Sequence, residues 1–101
     1  MLRHVFIINV KEGISDDIVE QKVLEMRFMK EKIKVIDTII AGRTRGLFGR
    51  PDAVMMVVDF KDKNAFDEFI NHPVHVGISK RAAEAFDVQS IDVAQIEYDN
   101  F

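Results

Sequence analysis

The 101-residue sequence contains no cysteine and no tryptophan, and it has only two prolines and five glycines. The absence of cysteine excludes disulfide bonds, thiolate metal ligands and a cysteine nucleophile. Acidic residues outnumber basic ones by 17 to 14, which argues against nucleic-acid binding because that function usually needs a basic surface. No apolar run approaches the roughly 18 residues that span a membrane, and the N-terminus lacks the pattern of a signal peptide. The sequence therefore predicts a cytoplasmic protein that binds neither nucleic acid nor membrane.

Apolar residues are abundant, at 48% of the composition, and 31% of the residues are charged. This balance is typical of a folded domain and not of a disordered chain. The sequence shows no internal repeat, low-complexity tract or linker, so we expect a single domain over residues 1–101.

Hydrophobic periodicity predicts four strands and two helical regions. A helix is expected from about residue 16 to 33, with Ser15 as its N-cap. A second helical region is expected to begin with Asp62 as its cap, to break at Pro73 and to continue to about residue 86. The resulting order, βαββαβ, predicts a ferredoxin-like α+β fold, in which one four-stranded antiparallel sheet carries its helices on one face. The strands are expected at residues 2–10, 35–41, 53–60 and 91–98.

The predicted strands are apolar on both faces of the sheet, which is unusual for a sheet with one solvated face. Helices cover only one face, and the other would expose a larger apolar patch than soluble monomers usually tolerate. A second copy packed across a two-fold axis would cover this patch, so a homodimer is expected. The alternative is a monomer with an apolar patch at its edge. The residues expected at the dimer interface are Val5, Ile7, Ile39, Met55 and Val57.

The histidines are the candidates for reactive groups. His72 and His75 have the spacing of a metal-binding pair, but Pro73 interrupts the helix between them and no cysteine or clear carboxylate partner completes a site, so no metal is expected. His4 and His75 are both expected to point between the sheet and the helices. A histidine in an apolar pocket can act as a general acid or base near neutral pH. The alternative is that both are hydrogen-bonded core residues.

Four apolar residues are expected to line the same pocket as the two histidines, and His72 is expected to contact the ligand with them. The pocket would suit a small apolar or aromatic ligand, and we expect no cofactor. The apolar residues are Phe6, Val54, Phe66 and Phe69.

The predicted loop before the third strand contains Arg43, Arg45 and Arg50 among three glycines. Such a loop is able to bind a carboxylate or phosphate through guanidinium groups, but it matches no known phosphate-binding motif. The alternative is a solvated connection whose arginines pair with the acidic residues of the chain. Leu47 and Phe48 are unusual in a solvated loop, and they are expected to cover a pocket mouth or to contact the partner subunit.

Four short motifs follow one another along the chain: the start M-L-R-H-V, the strand end V-V-D-F, the segment F-I-N-H-P-V-H-V-G and the final E-Y. Their order and spacing resemble the stress-responsive dimeric α/β-barrel domain family over essentially the whole chain. The resemblance implies a ferredoxin-like subunit whose sheet pairs with that of a second subunit to form a barrel. Members of the family include plant stress proteins, bacterial proteins of unassigned role and a polyketide cyclase.

The resemblance also implies roles for two histidines. In the cyclase type, the histidine at the position of His75 is the base, and the pocket contains a further histidine at the position of His4. A tyrosine one turn before the His-Pro motif assists the base, but this sequence has Phe69 there, and Val54 stands where another histidine would lie. These departures disfavour the same aldol-type cyclisation and leave an apolar pocket with histidines.

The leading interpretation is a homodimeric stress-responsive α/β-barrel protein of unassigned role, with a small and largely apolar ligand pocket in each subunit. Whether the protein is an enzyme stays open. One alternative is a cofactor-free enzyme of cyclase or monooxygenase type that acts on small polyketide-like or aromatic substrates, with His75 as base. Another is a purely structural oligomerisation module in which the histidines only support the fold.

Overall fold

The fold is a four-stranded antiparallel sheet with three helices, in a computed structural model that describes residues 1–99. The strand order is β2-β3-β1-β4, so β2 and β4 are the edge strands. This arrangement is the predicted ferredoxin-like α+β fold. The elements are β1 (Leu2–Val10), α1 (Asp16–Lys32), β2 (Ile36–Arg43), β3 (Ala53–Phe60), α2 (Lys63–Asn71), α3 (Pro73–Lys80), a 3-10 turn (Ala82–Glu84) and β4 (Phe86–Glu97).

Short polar residues fix the first turns of α1 and α2, as the sequence predicted. Ser15 Oγ accepts a hydrogen bond from the backbone N–H of Ile18, and Asp62 Oδ1 accepts one from that of Ala65. Each side chain thereby satisfies an N–H group that has no partner within the helix. Pro73 is the first residue of α3, where its missing N–H costs no hydrogen bond.

The last strand is longer than predicted, and the last helix is shorter. α3 ends at Lys80, and β4 begins at Phe86 instead of residue 91. Phe86 is buried and pairs with Val10 of β1, so its burial in the sheet outweighs the helical spacing of the preceding apolar residues. The pairing of β4 with β1 is then interrupted. Asn9 of β1 pairs with Asp87 of β4, but Ile7, two residues away in β1, pairs with Asp92, which lies five residues further along β4. Regular periodicity cannot reveal such an irregular strand.

A register shift in β2 reverses the face that was predicted for Ile39. Ile36 pairs with Phe60 and Thr38 with Asp59, so one extra residue lies between them on β2. Opposite residues of an antiparallel pair share a face. Ile39 pairs with the buried Val58 and packs against the core, whereas its neighbour Ile40 is 68% exposed on the other face. Ile39 therefore does not lie on the outer face where it was predicted, and Ile40 lies there instead.

The main core lies between the sheet and the helices. Alternate residues of β1 and β3 point into it, and they meet apolar side chains from α1 and α2. The most completely buried side chains are Ile8, Val19, Met29, Ile33, Val54, Val58, Phe60, Phe69 and Phe86.

The outer face of the sheet carries no helix in this subunit. Its centre is apolar and includes the predicted Val5, Ile7, Met55 and Val57, of which Met55 is 40% exposed. Asp59, on the same face, accepts two hydrogen bonds from Arg3, at 2.8 and 2.9 Å, and one from Thr38. Ion pairs therefore border an apolar surface. No helix among residues 1–99 is both long and apolar enough to cross a membrane.

Candidate functional site

A cavity of about 110 Å³ lies between the sheet and the helices, next to the main core. An engineered cavity of about 150 Å³ binds benzene, so this smaller volume limits a ligand to about the size of one small ring or a short chain. Its polar lining consists of His4, Lys22, Glu25, His75 and Ser79. The apolar lining consists of Phe6, Met26, Met29, Met56, Ile78, Ala82, Phe86, Val88 and Ile91.

Strand β1 and helix α3 bring the two histidines together. His4 alternates with Phe6 and Ile8 on the helix-facing side of β1 and is only 4% exposed. His75 lies in the first turn of α3, which Pro73 begins. Both rings contact Phe69, whose ring centroid lies 6.2 Å from that of His4 and 4.5 Å from that of His75.

The hydrogen bonds of the two histidines assign complementary tautomers. Nδ1 of His75 lies 3.0 Å from the carbonyl oxygen of Ile70, which only accepts, so Nδ1 carries the proton and Nε2 is the basic nitrogen. Nδ1 of His4 lies 2.9 Å from Nε2 of Gln95, which only donates, so Nδ1 of His4 accepts and its Nε2 carries the proton. One histidine thus has an acceptor, and the other a donor, to offer a ligand.

Both histidines have a lowered pKa. Burial lowers the pKa of His4 from its ordinary value of 6.5, and the positive charge that His75 would carry lowers it further. Burial also lowers the pKa of His75, against an opposing effect of its hydrogen bond to Ile70. A charged imidazole loses hydration when it is buried, so the neutral form is favoured. Both rings are therefore neutral at pH 7.

Residues 2–99 match the family described as Stress responsive A/B Barrel Domain. The chain belongs to this family. No curated protein sequence matches it.

Solved structures with low sequence identity share the fold of this A/B barrel domain. A protein from Arabidopsis thaliana is 18% identical with a TM-score of 0.84, and the alignment covers 100% of this chain and 98% of that one. A dimeric ferredoxin-like protein of unknown function from Bacteroides fragilis is 18% identical with a TM-score of 0.80, covering 96% and 95% of the two chains. The hydroxynitrile lyase of Passiflora edulis is 15% identical with a TM-score of 0.82, covering 99% and 95%.

Only some of the residues predicted to contact a ligand line the cavity of the A/B barrel domain. His4, His75 and Phe6 do so, but Val54, Phe66, Phe69 and His72 do not. Val54 is buried near the start of β3, and Met56, two residues further on, lines the cavity in its place.

The other three residues lie outside the cavity, where two of them contact the histidines and one caps a helix. The ring centroid of Phe66 lies 5.2 Å from that of His4 in an edge-on contact, and Phe69 packs against both histidines. Nδ1 of His72 accepts a hydrogen bond from the backbone N–H of Val74 and so caps α3. His72, which was expected to contact the ligand, therefore does not line the cavity, because its ring is held at the start of the helix.

Sequence reasoning missed several lining residues of the domain. Val88 and Ile91 come from the irregular part of β4, which the predicted strand largely omitted. Lys22 lies one helical turn before Met26 on the stripe of α1 that faces the core, but a charged residue there is usually solvent-exposed. The helical spacing from Met26 is the signal that would have found Lys22.

The arginine-rich loop binds the chain's own acids. Arg43 pairs with Asp16 and Asp52, in agreement with the interpretation as a connection held by ion pairs. Arg50 pairs with Asp92 and donates a hydrogen bond to the Ser90 carbonyl. The side chains at the loop tip, residues 47 and 48, are exposed and do not line the histidine-containing cavity.

A second, more open groove of the domain contains no histidine in its walls. It has a volume of about 600 Å³ and lies between α1 and α3, with Leu24, Phe28 and Pro73 in its walls. Within residues 1–99, no group of three or more histidine or acidic side chains is arranged to hold a metal ion. His4 and His75, which line the cavity, are the candidate reactive groups of the domain.

Proposed function

We propose that the protein is a homodimer in which each subunit binds a small apolar or aromatic molecule in the cavity at His4 and His75. The observation that carries the proposal is the pairing of apolar walls with two neutral imidazoles of opposite hydrogen-bonding character. Ligand sites in proteins typically combine mostly apolar walls with a few oriented polar groups.

Self-association is supported by the outer face of the sheet. Its apolar centre, at Val5, Ile7, Ile40, Met55 and Val57, lies on the face without helices. The similar protein from Bacteroides fragilis is described as dimeric. A copy packed against this face across a two-fold axis would bury the apolar centre and leave the cavity on the opposite side of the sheet.

Ligand binding is tested by thermal unfolding in the presence of small aromatic alcohols and aldehydes. A ligand that binds only the folded protein stabilises it and raises Tm. The rise in Tm grows as the ligand concentration increases above Kd. Two adjacent alanines of the 3-10 turn provide a matched pair, because Ala82 lines the cavity and Ala83 is exposed.

We expect Ala82→Leu, which fills the cavity, to abolish the ligand-induced rise in Tm, and Ala83→Leu to retain it. The proposal is wrong if no member of the ligand series raises the Tm of the unmodified protein. It is equally wrong if both leucine variants respond as the unmodified protein does. In the first case, a structural oligomerisation module is the better description.

A catalytic role for His75 is the second candidate function. The favouring observation is that its Nδ1–H is held by the Ile70 carbonyl, which leaves Nε2 unprotonated and able to accept a proton from a substrate. His4, with its proton on Nε2, would donate a hydrogen bond to an oxygen on which negative charge develops. The similar structure from Passiflora edulis is a hydroxynitrile lyase, so this fold supports catalysis in another protein.

The variant His75→Asn separates catalysis from support of the fold. The asparagine amide is able to keep the donor to the Ile70 carbonyl, but it has no basic nitrogen at the position of Nε2. If His75 is a base, turnover of a substrate found among the binding ligands falls by about 10²-fold or more while binding changes little. Unchanged turnover in this variant would contradict the catalytic role.

A further inference from the structure

A lysine lies in the wall of a cavity that is otherwise mostly apolar. The side chain of Lys22 lines the cavity and is only 13% exposed, although lysine is rarely buried to this extent. It comes from α1, and the histidines come from β1 and α3. The proposed function assigns no role to this ammonium group.

The charged groups around Lys22 form two ion pairs that join α1 to the segment after α3. Nζ of Lys22 lies 2.6 Å from Oε1 of Glu84, and Glu25 lies at 4.0 Å, beyond hydrogen-bonding distance. Glu25 instead accepts a hydrogen bond from Arg81, at 2.7 Å. Glu84 is therefore the carboxylate that hydrogen-bonds Lys22, whereas Glu25 forms a longer ion pair with Lys22 and binds Arg81 more closely.

The two partners of the Lys22–Glu84 pair are unequally buried. The Glu84 side chain is 61% exposed, so it regains water readily when it moves away from the lysine. An exposed carboxylate contributes little to such a pair, because water and salt screen the attraction. The ammonium has three donors, and within residues 1–99 Glu84 accepts from one of them. Lys22 is thus able to exchange Glu84 for another anion.

We infer that the cavity takes a small apolar molecule that carries a carboxylate, and that Lys22 binds this carboxylate in place of Glu84. The apolar part of the ligand would lie against Phe6, Met26 and Met56, where the walls are apolar. A charge-assisted hydrogen bond from an ammonium group is stronger than one between neutral groups. This inference rests on the proposed ligand cavity and specifies the class of ligand.

The test compares benzoate with benzamide, which has nearly the same shape but no charge. Titrations at pH 7 are followed by NMR of the protein. We expect benzoate to bind about tenfold more tightly than benzamide, the ratio expected from one charge-assisted hydrogen bond. In Lys22→Met this preference should disappear while benzamide binding stays within about twofold, and Lys22→Arg should restore part of it.

Two further variants serve as controls. Lys63→Met removes an exposed lysine that pairs with Asp67 outside the cavity, and it should keep the full preference for benzoate. Glu84→Gln removes the competing carboxylate and should tighten benzoate binding by about twofold or more. Circular dichroism of each variant establishes that it is folded before the titration.

The outcomes distinguish this inference from the proposed function on which it rests. If benzamide and benzoate bind the unmodified protein equally, the carboxylate preference is wrong and the apolar cavity remains a ligand site. If the preference persists in Lys22→Met, the carboxylate is bound elsewhere and the role of Lys22 is wrong. If neither compound binds at millimolar concentration, and the wider ligand series also fails, both the inference and the ligand cavity are refuted.

Discussion

At the scale of single residues, the environment of each histidine decides its role. His72 caps a helix, whereas His4 and His75 lie at the cavity with their Nδ1 atoms occupied and their pKa values lowered by burial. The three residues look alike in the sequence, and only their partners separate them. This difference has a consequence for the pH dependence of folding.

We predict that the free energy of unfolding decreases as the pH falls from about 7 to about 5. The ordinary pKa of histidine is 6.5, and burial lowers it for His4 and His75 in the folded chain. Below pH 6.5 the unfolded chain therefore binds more protons than the folded chain, so acidification favours unfolding. Urea unfolding at several pH values measures the slope.

The variant His75→Asn provides the control, since it lacks one of the two titrating rings and should show a smaller slope over this range. Asp59 does not interfere, because hydrogen bonds from Arg3 lower its pKa from 3.8 and its effect on stability appears only at more acidic pH. A stability that stays constant or rises between pH 7 and 5 would contradict the assignment of neutral, buried histidines.

At the scale of elements, two irregular strands determine which residues face the cavity and which face the open side of the sheet. The extra residue in β2 places Ile39 toward the helices and Ile40 on the outer face. Val88 and Ile91 lie in the part of β4 where the pairing with β1 is interrupted, and both line the cavity. Such shifts re-aim the side chains that follow them.

The shift in β2 predicts opposite effects for two adjacent substitutions. Ile39→Glu places a charge against the core and should lower the free energy of unfolding by about 2 kcal/mol or more. Ile40→Glu should leave the subunit folded and weaken its self-association. Circular dichroism reports folding and sedimentation reports association. The reverse pattern, in which Ile39→Glu folds as a monomer and Ile40→Glu unfolds, would mean that β2 alternates without a shift.

Local sequence signals were sufficient where local chemistry decides the structure. Ser15, Asp62 and Pro73 marked helix starts, and residues 53–60 formed the predicted strand. The face of Ile39 was not predictable, because a register shift depends on the partner strand and leaves no mark in the periodicity of β2 itself. Lys22 was missed for a different reason: its helical spacing places it on the stripe that faces the core, but its charge suggested an exposed position, and its partner Glu84 is distant in the sequence.

At the scale of the whole molecule, the two faces of the sheet have different roles. One face forms the core and the cavity with the helices, and the other presents an apolar centre bordered by ion pairs, including Arg3 with Asp59. The high apolar content of this short chain is therefore divided between a core and a surface. We propose that a second subunit covers that surface.

We predict that Met55→Lys and Val57→Glu each convert the dimer into a folded monomer, because a charge at the apolar centre would lose its hydration in the interface. Ile18→Lys is a matched control: Ile18 on α1 is 41% exposed, close to the 40% of Met55. Sedimentation velocity at micromolar concentration should show a monomer for the first two variants and a dimer for the control. A monomeric unmodified protein would contradict the proposed interface.

The most direct test of the account is NMR of the protein with its methionine methyl groups labelled by ¹³C. Met26, Met29 and Met56 line the cavity, whereas Met55 lies on the outer face of the sheet. A small aromatic ligand should shift the three cavity methyl signals and leave Met55 unchanged, and dissociation of the dimer by dilution should shift Met55. A ligand that shifts Met55 but none of the three cavity methionines would contradict the account.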